Sequence, residues 1–186
     1  MSRTQRILVA GVGNIFLGDD AFGVEVALRL NARPQPKEVQ VVDFGIRGLD
    51  LTYALLEGYD AVILVDAAPQ GQPPGTLYVM EIPTGDGAGG SGKQPDGGVI
   101  QTHALHPAAV LEAVRAMGGR IGRLLLVACE PTPMDAEDMC MEFSPAVQAR
   151  LDEAVGLVES VVVRVLANDR QLVAAGPAEI VEMGKE

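Results

Sequence analysis

Ile7-Leu-Val-Ala-Gly-Val-Gly-Asn-Ile-Phe-Leu-Gly-Asp-Asp-Ala-Phe-Gly23 is the stretch on which the fold turns. Its apolar start lacks the in–out alternation of a half-exposed strand, so it reads as a strand buried on both faces, the habit of parallel sheets covered by helices. A glycine-rich turn follows, and then the start of a helix. A dinucleotide-binding turn opens in the same way, but it needs a third glycine three positions after the second, where this chain has Phe16. Asp19 and Asp20 would also stand where a pyrophosphate carries its charge, and like charges at short range repel. The turn therefore delivers carboxylates to a strand end instead of cradling a phosphate.

Outward from this stretch, strand-like runs alternate with helical patterns. Ile7–Ala10, a helix near Ala21–Leu30, Val39–Val42, a helix near Gly48–Glu57 and Ala61–Val65 give βαβαβ order. Thr76–Ile82 reads as a further strand and Leu124–Ala128 as another. Pro107 suits the first turn of a helix reaching about Met117, stopped by Gly118-Gly119, and Ser144-Pro145 caps and starts a long helix. Val147, Leu151, Val155, Val158, Val162 and Val165 or Leu166 lie on one face of that helix and read as core. The expectation is an α/β fold: a three-layer α/β/α sandwich around a mostly parallel twisted sheet, with right-handed crossovers gathering the strand carboxyl ends on one edge. One domain is expected over 1–186, with a core of about 6–166, a flexible loop at 83–101 rich in Gly, Pro and Asp, and no strong signal in 168–186.

Composition narrows the function. The 186 residues are 48% hydrophobic, enough for one full core. Twenty-five acidic against fourteen basic residues give a formal charge of −11, which opposes nucleic acid and anionic membranes as partners. Neither a signal-peptide pattern nor an apolar run near the roughly 20 residues of a membrane helix is present, so a cytoplasmic protein is expected. Cys129 and Cys140 are too few for a disulfide framework and lack CxxC spacing, so they read as reduced thiols.

Three polar positions fall at or beyond strand ends: the Asp19-Asp20 turn, Asp66 after Ala61–Val65, and His103 ahead of the Pro107 helix. On one sheet edge, two carboxylates and an imidazole would offer a cation two hard oxygens and a borderline nitrogen, or polarise a water. Each residue also has a plainer role. Asp20 would serve as the cap of the first helix, Asp19 as a solvated turn residue or a partner behind the site, His103 as an ordinary histidine, and His106 as a helix-start residue. No HExxH or GxSxG pattern occurs, and two histidines cannot make a three-histidine zinc site.

The run Gly11–Val24, the later Asp43-Phe-Gly-Ile-Arg-Gly48, the strand Val62–Asp66 and Thr102-His-Ala-Leu-His-Pro107, in this order, resemble the hydrogenase maturation proteases. Weaker similarity continues through Cys129-Glu130-Pro131 and Ser144-Pro145. The resemblance implies a cytoplasmic endopeptidase, grouped with the aspartic type, that removes a C-terminal extension from the nickel-loaded precursor of a nickel–iron hydrogenase large subunit. Its expected catalytic and metal-contacting residues are Asp20, Asp66 and His103, with nickel presented by the substrate. Asp43 and Gly45 of the D-x-G loop, with Asp19, are expected to shape the substrate cleft. The partner implied is that precursor, with no nucleic acid, no membrane and a monomeric protein. Some members carry Glu where this chain has Asp20, and Phe44 replaces a small residue common in the loop. A non-catalytic factor recognising a metal or metallocluster, and a nucleotide-binding enzyme holding ribose through Asp43, are the competing readings.

Overall fold

A computed structural model of the chain describes residues 5–84, 107–133 and 141–169. Five strands, β1 (Ile7–Val12), β2 (Val39–Gly45), β3 (Ala61–Ala67), β4 (Leu77–Ile82) and β5 (Arg123–Cys129), form one sheet in the order β2-β1-β3-β5-β4. All neighbouring strands run parallel except β4, which pairs antiparallel with β5 at the edge. Every residue of β1 is buried, as its unbroken apolar run requires.

Helices cover both faces. Alternate residues of the central strands, among them Ile7, Val9, Ile63, Val65, Leu125 and Val127, pack with Phe22, Val26 and Leu30 of α1 (Phe22–Asn31). Val147 of α4 (Pro145–Gln148) and the stripe Leu151, Val155, Val158, Val162 and Val165 of α5 (Leu151–Leu166) complete this layer. The opposite parity, Leu8, Ala10, Val62, Leu64, Leu124 and Leu126, packs against Leu51 and Leu55 of α2 (Gly48–Leu56) and Val110, Leu111 and Val114 of α3 (Pro107–Ala116). The three-layer α/β/α sandwich expected from the alternation is the observed fold.

Element bounds differ from the expected ones at the ends that matter for the site. Strands β1, β2 and β3 each run two or three residues further toward their carboxyl ends, because the parallel ladder continues to pair residues past the apolar run. The single long helix expected from Ser144 is instead two: the Arg150 N–H bonds Val147 O at 2.9 Å, a tightened turn, before α5 begins. Ser144 does cap, its hydroxyl accepting from the Val147 N–H at 3.3 Å with Pro145 at the first position. The expected loop at 83–101 lies outside the described residues from 85 onward, as does the tail from 170.

Topology fixes where a ligand can enter. From β1 the chain crosses under α1 to β2 on one side, then returns under α2 on the opposite face to β3 on the other side. The connection leaving β1 heads toward β2 and the one leaving β3 heads toward β5 and β4 on the other side, so the two diverge and a crevice opens at the carboxyl ends between these strands.

Candidate active site

Asp20 and Asp66 meet at that crevice. Asp66 is the sixth residue of β3 and is buried, 9% exposed, on the parity of the α2 and α3 face. Burial pushes its carboxyl well above the ordinary 3.8, the negative charge of Asp20 pushes it further, and a hydrogen bond from the Ala67 backbone only partly opposes them. Asp20 is half-buried, and its carboxyl is also raised by burial, opposed by the bond from Asn14. Two carboxylates 46 positions apart in the chain therefore share one poorly solvated space. Burial and the neighbouring charge favour the protonated form of Asp66, and a cation would favour the ionised one.

The first motif is built to place Asp20. Gly13 has φ +138°, and a Cβ there would stand 1.8 Å from the Asp20 carbonyl oxygen. The room that a dinucleotide turn leaves for phosphate is here filled by the backbone of the acidic turn itself. Gly23 serves the next contact: its Cβ would fall 2.0 Å from Val65 O and 2.3 Å from Val12 O, so α1 starts directly against the ends of β1 and β3. Asp20 does not cap α1, contrary to one expectation. It lies inside a 3-10 turn, Gly18–Ala21, and its Oδ2 accepts from the Asn14 N–H at 2.9 Å, back across the loop. The 3-10 turn carries the chain into the helix and takes the capping position away from the aspartate.

Of the two plain roles expected of Asp19, the structure shows the second. It is 2% exposed, not a solvated turn residue. Its carboxylate accepts from the Thr132 N–H at 2.8 Å, the Ser144 N–H at 2.7 Å and the Ser144 hydroxyl at 2.8 Å. This is the arrangement of a partner behind the site, tying the turn after β1 to the segments after β5 and before α4.

Asp43 and Gly45 stand at the carboxyl end of β2, beside the first motif. The Gly13 N–H bonds Gly45 O at 3.0 Å, and Gly45 takes the left-handed φ of +53°. Among the described residues, Asp43 Oδ1 is buried without a hydrogen-bond partner, while Arg47 Nη2 donates to the Asp43 carbonyl. His103, His106 and Cys140 lie outside the described residues. Among those described, no group of three His, Cys, Asp or Glu side chains is placed to hold a metal ion. The two aspartates suit a hard or borderline cation by donor type, and a third donor has to come from elsewhere.

Two supporting residues have roles that a reading of sequence alone does not give, although Glu130 lies in the Cys129-Glu130-Pro131 run. Tyr78 of β4 lies across from Ala128, which pairs in turn with Asp66. It is buried, and its hydroxyl donates to the Ala68 carbonyl just beyond Asp66. Burial first, then the charges of Glu130 and Asp66, raise its phenol so that it stays protonated. Glu130 is also buried and accepts from the Gln70 and Gly71 N–H groups at 2.7 and 3.1 Å, fixing the turn that leaves β3. Neither residue is marked by local spacing; only the antiparallel register of β4 brings Tyr78 into the row of Asp66.

Among the described residues, cysteine chemistry finds no support. Cys129 is fully buried and its thiol is pushed up to about 12 by burial, so it supplies no thiolate nucleophile. A concavity of about 810 Å³ lined by Asp60, Glu81 and Arg123 lies at the amino end of β3 and β5, away from the aspartate pair. Among the described residues, no helix is long and apolar enough to cross a membrane.

A family model described as hydrogenase maturation protease matches residues 24–161. The hydrogenase expression/formation protein HupD of Rhodobacter capsulatus is 31% identical over 160 residues, 82% of this chain and 69% of that protein. The hydrogenase 2 maturation protease of Escherichia coli is 32% identical over 155 residues, 81% and 86% of the two chains. Among solved structures, the hydrogenase maturating endopeptidase HybD from E. coli superimposes with a TM-score of 0.68 at 28% identity, covering 87% of this chain and 94% of its own. A hydrogenase 2 maturation peptidase from a Thaumarchaeota archaeon does so with a TM-score of 0.61 at 26% identity, covering 85% and 98%.

Proposed function

The chain belongs to the hydrogenase maturation protease family, and from that membership we propose that it cleaves the C-terminal extension from the nickel-loaded precursor of a nickel–iron hydrogenase large subunit, using Asp20 and Asp66 as its working carboxylates. The observation that supports this is that the turn bearing Asp20 leads into Gly23, packed against the carbonyls of Val12 and Val65, so that it lies beside the end of β3 that bears Asp66.

In the free enzyme the proton on Asp66 spares the pair its mutual repulsion. A precursor presenting bound nickel offers the pair positive charge, and Asp66 gives its proton to solvent as the loaded substrate docks. His103, the third residue implied by the resemblance, is proposed to complete the donor set. With the pair ionised, a water beside it is activated: a carboxylate takes its proton, its oxygen adds to the scissile carbonyl carbon, and the proton passes to the departing amine as the C–N bond breaks. Asp43 and Gly45, joined to the first motif through the Gly13 N–H, are proposed to border the cleft. Asp19 acts there through the segments it holds. The reading carries with it a cytoplasmic location, in keeping with the buried free thiol of Cys129.

Incubation with nickel-loaded and nickel-free precursor, read by mass spectrometry, tests this. The wild type is expected to shorten only the loaded precursor. Asp20→Asn, Asp66→Asn and His103→Ala are expected to lower the rate by at least roughly a hundredfold while keeping the native circular dichroism. Binding of the loaded precursor without any mass loss would mark a recognition factor instead of a protease. Near-normal cleavage by two of the three variants would refute the site.

A further inference from the structure

Two loops that flank the aspartate pair display large apolar side chains to solvent. Ile15 and Phe16, in the loop after β1, are 49% and 54% exposed; Ile46 and Leu49, after β2, are 61% and 62% exposed. Tyr53, one helical turn beyond Leu49 on α2, is 54% exposed. The loops are joined at their roots by the Gly13 N–H to Gly45 O bond, and the first three residues lie one to three positions beyond it, each step spanning about 3.8 Å. An apolar rim therefore runs along the carboxyl edge of the sheet beside Asp20.

Hydrogen bonds define the backbone of both loops. In the first, Asn14 Oδ1 accepts from the Phe16 N–H at 3.0 Å, Asn14 O from the Leu17 N–H at 3.1 Å, and Asp20 Oδ2 from the Asn14 N–H at 2.9 Å. In the second, Phe44 O accepts from both the Arg47 N–H at 2.8 Å and Arg47 Nε at 3.1 Å, and the Gly48 N–H bonds Ile46 O at 3.0 Å. Hydrogen-bonded turns that hold apolar groups in water lower the ordering cost of binding an occupant.

We propose that this rim docks an apolar stretch of the precursor polypeptide adjoining the bond to be cut, an inference that rests on the protease reading above. A segment lying along it would pass beside the loop that carries Asp20, whose Oδ2 accepts from the Asn14 N–H at the root of the rim. A second copy of this chain is a poorer occupant: it would cover the crevice, and two bodies each carrying −11 repel.

Phe16→Ser, Ile46→Ser and the combination of both test the rim against Val163→Ser, an exposed position on α5. In steady-state processing of nickel-loaded precursor, each rim variant is expected to raise KM severalfold and the combination roughly tenfold or more, with kcat within about twofold, while Val163→Ser matches the wild type. Direct binding of the precursor to Asp20→Asn protein, with and without the rim changes, reads docking apart from cleavage and is expected to weaken to the same degree. Leu49→Ser provides an independent rim variant should either of the others fail to fold. Unchanged KM and unchanged binding in the rim variants would overturn the proposal. So would a wild-type dimer in sedimentation that the rim variants convert to monomer. Failure of the wild type to cut loaded precursor would count against the protease reading, while the binding comparison still decides the rim.

Discussion

Asp66 follows five apolar residues of β3, and its carboxyl is buried where a charge is costly. Since burial and Asp20 raise its folded-state pKa above the unfolded value, the folded protein holds a proton there that the unfolded chain has already lost. The resulting stabilisation is complete below the ordinary value of 3.8 and is lost as pH rises through the raised one. Asp66→Asn, which needs no proton, is expected to be more stable than wild type at neutral pH while inactive, with the gap closing as pH falls toward 4. Urea unfolding of both proteins across pH checks this, and a gap that widens toward acid would contradict the burial argument. The residue type was legible at the end of its strand, but its partner was not. Nothing local links position 66 to position 20.

At the scale of elements, the glycines of the first motif decide how α1 meets the sheet. Gly23 lies where a methyl group would collide with the backbone carbonyls of both β1 and β3, and backbone cannot swing aside as a flexible side-chain end can. Gly23→Ala is expected to cost more than about 3 kcal/mol or to leave the chain unfolded. A denaturant midpoint within experimental error of wild type would show that the helix start can shift. The order of strands and helices was legible because each run carries its own period: unbroken apolar strands in the centre, a 3.6-residue stripe on α5. Their ends were less so, since a parallel ladder extends past the apolar run, and the capping reading of Asp20 failed because a 3-10 turn intervenes before the helix. Likewise the break between α4 and α5 is a single tightened turn that no residue type announces.

Across the whole molecule, Asp19 joins parts of the chain 113 and 125 positions away, at Thr132 and Ser144. Removal of its carboxylate leaves three donors without their acceptor, so Asp19→Ala is expected to destabilise the fold by about 3 kcal/mol. Activity should fall as well, because the turn that carries Asp20 loses its anchor; chemical denaturation alongside the processing assay measures both. Stability equal to wild type would mean these bonds are matched by water in the variant. The amino-acid order alone determined the layered α/β architecture, the acidic turn at the end of the first strand and the family, because periodicity and short motifs are local properties that survive without coordinates. Only the tertiary structure decided that Asp66 is buried within reach of the charge of Asp20, that Asp19 is a buried tie and that Tyr78 stands in the row of Asp66. Charge coupling, burial and register are set by crossovers between distant segments, and no window along the chain contains them.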